Sequence, residues 1–131
     1  MSILIRQPNL FSMKRNILLE KSFDFALMSI RLAQSLQNRN EYILSKQIMR
    51  SGTSVGANIR EANNTISKKD FIYKLNIAQK ECDESLYWAE LLQKCEYISD
   101  EQFYTFQELA IEQLRILKSS ILTAKKNLNQ G

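Results

Sequence analysis

The stretch from residue 67 to residue 95 reads Ser67-Lys-Lys-Asp-Phe-Ile-Tyr-Lys-Leu-Asn-Ile-Ala-Gln-Lys-Glu-Cys-Asp-Glu-Ser-Leu-Tyr-Trp-Ala-Glu-Leu-Leu-Gln-Lys-Cys95. Within it Phe71, Leu75, Ala78, Cys82, Ser85, Ala89 and Leu92 alternate four and three apart. That is the seam of a helix packed along its length against others, with small residues in the middle where the packing must be close. Trp88, Leu91 and Cys95 widen the stripe. Ser67 with Asp70 three residues later resembles a capping box and sets the helix start near residue 68.

Working outward, residues 99 to about 128 carry Phe103, Phe106, Ala110, Leu114, Leu117, Ile121, Ala124 and Leu128 on one stripe. Residues 41–64 carry Leu44, Ile48, Ser51, Val55, Ile59 and Ala62. In residues 16–38 Phe23, Ala26, Ile30 and Ala33 recur at helical spacing, with Phe25, Met28, Leu32 and Leu36 beside them. Three Gly and one Pro in 131 residues leave few breakers for a turn-rich β fold. The connections are short, so consecutive helices are expected to be antiparallel neighbours. The predicted fold is all-α, an antiparallel up-down-up-down four-helix bundle over residues 16–128, with a flexible arm at 1–15.

Composition narrows the function. The chain has no histidine, which removes the commonest general base and metal ligand, along with Ser-His-Asp and Cys-His catalysis. Glu81, Asp83, Glu84, Glu108 and Glu112 could crowd carboxylates on facing helices, but most lie off the core stripes. No catalytic residue, metal site or cofactor is expected, and the chain is read as not an enzyme. Cys82 and Cys95, thirteen residues apart on one helix, would be about 20 Å apart, beyond disulfide reach. Both are expected to be buried thiols. The apolar run at the start is too short for a signal peptide, and no stretch approaches a membrane span, so a cytoplasmic location without membrane contact is expected.

The predicted second helix, residues 41–64, holds the oddest segment, Arg50-Ser-Gly-Thr-Ser-Val-Gly-Ala-Asn58. Glycines in a helix interior cost about 1 kcal/mol each relative to alanine. A phosphate loop does not fit, because the Gly-Lys-Ser/Thr ending and a preceding strand are missing. On a helical wheel Gln47, Arg50, Ser54, Asn58 and Glu61 fall along one edge of the core face, and Met49, Gly52 and Gly56 towards the other. The glycine edge admits a second backbone, and the polar edge could hydrogen-bond across helices, with Arg50 and Glu61 offering a charge pair. Packing inside the chain and contact with another protomer or a ligand both remain open for this motif.

Residues 45–62, Ser45-Lys-Gln-Ile-Met-Arg-Ser-Gly-Thr-Ser-Val-Gly-Ala-Asn-Ile-Arg-Glu-Ala62, resemble the central motif of a bacterial four-helix-bundle family, the 23S rRNA-intervening sequence proteins. Residues 67–81 and 87–92 are similar to its third helix, and the likeness runs from about 16 to 126. The resemblance implies an antiparallel bundle assembled as a homopentamer. It also implies kinship with the basic, pentameric accessory bundle of diversity-generating retroelements, a partner of reverse transcriptase and nucleic acid. It supplies no established biochemical activity for most members.

Charge gives the remaining lead. Net charge is +4. In the expected topology one end collects residues 1–21, 58–74 and 118–131, with eleven basic and three acidic residues. The other end, 34–46 and 90–105, holds three basic and five acidic. Lys125 and Lys126 suit a helix C-terminus, whereas Lys68 and Lys69 open a helix, where the dipole works against them. Arg60, Lys68, Lys69, Lys125 and Lys126 are the candidate contacts to RNA or DNA phosphates. A solvated charged surface, or contact with an acidic protein partner or an anionic lipid, are the competing readings.

Overall fold

The computed structural model describes residues 10–130, with side chains from 13 to 129. Four helices form: α1 Leu10–Asn38, α2 Ile43–Ala62, α3 Lys68–Lys94 and α4 Asp100–Gln130. No strand occurs among the described residues. Each helix packs on the next, and α4 closes back on α1 while the diagonals stay apart. This is the up-down-up-down four-helix bundle expected from the periodicities.

Three of the four stripes form the core as read. Leu75, Ala78, Cys82, Ser85, Ala89 and Leu92 of α3 are buried, as are Phe103, Phe106, Ala110, Leu114, Leu117, Ile121 and Ala124 of α4. Ile48, Ser51, Val55, Ile59 and Ala62 do the same for α2. Phe71, Leu44 and Leu128, at the stripe ends, are half-buried. Phe25 of α1 stacks on Phe106 of α4 with ring centroids 4.4 Å apart.

Helix α1 differs from its expected reading in two ways. It begins at Leu10, so residues 10–15 are helical where a flexible arm was expected; residues 1–9 of that arm lie outside the described residues. Its buried stripe is Leu18, Ser22, Phe25, Ser29, Leu32 and Leu36, with Ala33 beside it. Phe23, placed on the core by hydrophobicity, is 55% exposed. The rotation has a steric cause. Serines 22 and 29 are small enough to let α2 approach, and their hydroxyls bond to the carbonyls of Leu19 and Phe25 at 3.2 and 2.8 Å. A buried hydroxyl that finds such a partner costs little.

The chain turns at the helix ends by local rules. Ser67 Oγ accepts the Asp70 amide at 3.1 Å, which is the expected cap of α3. Ser99 and Gln102 form a full capping box at α4: the Gln102 amide donates to Ser99 Oγ and the Ser99 amide to Gln102 Oε1. At the opposite ends of α1 and α3, Asn40 and Glu96 take left-handed conformations, with φ of 64° and 63°. Behind each, an amide reaches back five residues, from Glu41 to the Leu36 carbonyl and from Tyr97 to the Leu92 carbonyl. Both ends are therefore Schellman closures. Arg39 ties the two together, stacking on Tyr97 and donating to the Tyr97 carbonyl at 2.9 Å.

Candidate nucleic-acid interface

The polar edge of α2 faces α3. Arg50 bridges Glu81 at 3.1 Å and Glu84, and Glu61 accepts Lys74 at 2.7 Å. Arg50 and Glu61 therefore each pair across to α3, as the polar edge was expected to do. Burial works against the Arg50 charge, but Glu84 and Glu81 outweigh it and hold its pKa above the ordinary value. Lys74 is raised chiefly by its hydrogen bond to Glu61. Asn58 turns inward on its own helix, donating to the Ser54 carbonyl and hydroxyl. Below this edge Ser85 donates to Ser51 Oγ at 2.9 Å in full burial, a second α2–α3 tie.

The glycine edge faces α1. A Cβ on Gly52 would stand 1.9 Å from Ser29 Oγ and 2.4 Å from Ser29 Cβ. A Cβ on Gly56 would stand 3.2 Å from Ser22 Oγ and 3.3 Å from the Ser22 carbonyl. The backbone that these glycines admit thus belongs to the same chain. Within the chain, Gly52 and Gly56 pack on α1 while Arg50 and Glu61 pair with α3.

Among the described residues no group of three or more Cys, Asp or Glu stands close enough to hold an ion. Glu81 and Glu84 are engaged by Arg50, and Glu112 pairs with Lys21 at 3.6 Å. Cys82 is buried, and burial pushes its thiol up to about 12. Cys95 is exposed, contrary to the expectation that both thiols lie inside, because it caps the end of α3 where the stripe runs out.

One end of the bundle brings together the start of α1, the α2–α3 connection and the end of α4. Lys14 donates to Ser119 at 2.8 Å, and Lys68 reaches the Asn127 carbonyl at 3.4 Å. Arg60, Lys68, Lys69, Lys125 and Lys126 are all exposed. None of the five is in an ion pair among the described residues. Lys68 corrects one expectation: the dipole of its own helix disfavours it, but its ammonium lies against the last turn of α4, where carbonyls favour a cation. Lys69 has no such compensation. Arg60 stands apart from the cluster around Lys68, on the rim of a groove shared with α1 and lined by Phe23, Ala26 and Gly56.

A cleft of about 320 Å³ opens between these segments, lined by Arg15, Asn63, Ile66, Lys68, Phe71 and Asn127 among others. Sequence reasoning did not single it out. Its one legible signal was Ile66, an apolar residue inside an otherwise polar connection.

Residues 14–119 match the 23S rRNA-intervening sequence protein family. The chain belongs to that family. A crystal structure of a protein of unknown function from the S23 ribosomal protein family of Bacteroides thetaiotaomicron VPI-5482 is 47% identical to it, with a TM-score of 0.80. The alignment covers 82% of this chain and 97% of that one. No curated protein matches. Membership of the intervening-sequence family agrees with the bundle, and by itself assigns no chemistry. No helix among the described residues is long and apolar enough to cross a membrane.

Proposed function

We propose that this intervening-sequence family protein is a non-enzymatic, cytoplasmic, homo-oligomeric scaffold, a pentamer, that holds RNA or DNA electrostatically at its basic end. The observation that carries the reading is the gathering of Lys68, Lys69, Lys125 and Lys126 around the junction of three segments, exposed and without ion pairs among the described residues. Cations so placed attract phosphates without reading sequence. Assembly multiplies the patch, and the bundle has outward apolar side chains to support it: Tyr73 and Tyr87 are 62% and 56% exposed. Trp88, which widens the α3 stripe, is half-buried against the core.

The test is a titration of labelled RNA of unrelated sequences by fluorescence anisotropy. Raising salt from about 50 to 200 mM is expected to weaken binding steeply, with Lys68→Glu/Lys69→Glu binding all sequences more weakly and with a shallower salt slope. The same outward aromatics favour a second reading, a protein adaptor. That reading takes over if the wild type binds no nucleic acid at low salt.

A further inference from the structure

The cleft at the basic end has features that phosphate contacts leave unused. Ile66 is fully exposed at its rim, held in the short connection between α2 and α3. The Phe71 ring forms part of the wall, with the Arg15 guanidinium 5.8 Å from its centroid. Asn63 and Asn127 present side-chain amides that make no hydrogen bond among the described residues, though the Asn127 backbone carbonyl accepts Lys68. A bare phosphate would gain nothing from the apolar wall, and an apolar ligand nothing from the surrounding cations. A flat ring carrying polar edges and attached to an anionic strand uses all three.

We propose that this cleft receives one unpaired base of a nucleic-acid strand whose phosphates lie on Lys68, Lys69, Lys125 and Lys126. The inference rests on the reading that this end binds nucleic acid, and it adds that the end grips unpaired bases and not only charge. Charge complementarity selects the strand. Size limits the occupant, since about 320 Å³ lies at the small end of ligand clefts. The base packs between Ile66 and the Phe71–Arg15 face, the arrangement by which single strands are held through stacking without strong sequence preference. Asn63 and Asn127 then offer a donor and an acceptor each to the base edge.

The experiment uses the full chain and two single-stranded DNAs of equal length and charge, one intact and one built from abasic residues. The intact strand is expected to bind about ten-fold tighter. Ile66→Ala and Asn127→Ala, both at exposed positions, are expected to shrink that preference while the circular dichroism spectrum stays unchanged. Lys125→Glu/Lys126→Glu is expected to weaken both strands alike and leave the preference in place. Equal binding of the two strands by the wild type overturns the cleft inference and leaves the electrostatic reading standing. A preference that survives Ile66→Ala and Asn127→Ala also overturns it, because the base is then held elsewhere. Absence of binding to either strand at low salt overturns both.

Discussion

At Gly52 a single hydrogen atom decides how closely α1 and α2 can pack. A methyl there would overlap Ser29 Cβ at 2.4 Å, so Gly52→Ala must push the helices apart despite the better helix propensity of alanine. The expected loss is about 1–3 kcal/mol, read as a shift in the denaturation midpoint. Gly52→Ala combined with Ser29→Gly is expected to recover part of it, and an additive double mutant would show that the two residues do not meet. The thiols make a second residue-scale contrast. Cys95 is exposed and Cys82 is buried with its thiol held near 12. One thiol is therefore expected to react with a disulfide reagent at pH 8 in the folded protein, and two after unfolding. The sign of the pH effect follows from the raised value. Unfolded Cys82 ionises near 8.5 and folded Cys82 does not until about 12, so its burial favours the native state less as pH climbs between them.

Helix ends show the same economy at the scale of an element. The capping box of α4 and the Ser67 cap of α3 use side chains that any sequence reading looks for. The Schellman closures at Asn40 and Glu96 use residues that differ in their tolerance of positive φ. Asparagine visits that region readily, whereas glutamate pays a steric cost through its Cβ. Glu96→Gly is expected to stabilise the protein by about 0.5–1 kcal/mol, visible as a higher Tm. A lower Tm would mean that the Glu96 side chain makes a contact worth more than the strain. The α2–α3 pair is held differently, by Arg50 across Glu81 and Glu84, Lys74 on Glu61 and the buried Ser85–Ser51 bond. Such polar ties fix register between helices whose apolar stripes alone would tolerate sliding.

For the whole molecule the open question is what covers its outward apolar side chains. Phe23, Leu27, Tyr73, Tyr87, Ile111 and Leu122 are exposed on a single bundle. Scattered singly they would need no explanation, but aromatics of this size are characteristic of protein interfaces. Native mass spectrometry at micromolar concentration is expected to show a homo-oligomer, with five copies the predicted number. A monomer at that concentration would remove assembly from the proposed function and leave the basic end of one bundle to bind alone.

The sequence by itself determined the four helices, their order and three of their buried faces. Heptad spacing of apolar and small residues is a local property, and it holds from Phe71 to Leu92 and from Phe103 to Ala124 whatever the neighbours are. It also determined which charged residues share an end, because short connections force the topology. Only the tertiary structure decided the face of α1, where close approach to Gly52 and Gly56 selected Ser22 and Ser29 over the larger Phe23. It alone paired Arg50 with Glu81 and Glu84, gave Lys68 a carbonyl partner on α4, and opened the cleft beside Ile66. In each case the deciding partner lies on another helix, and periodicity along one helix carries no information about which residues stand opposite.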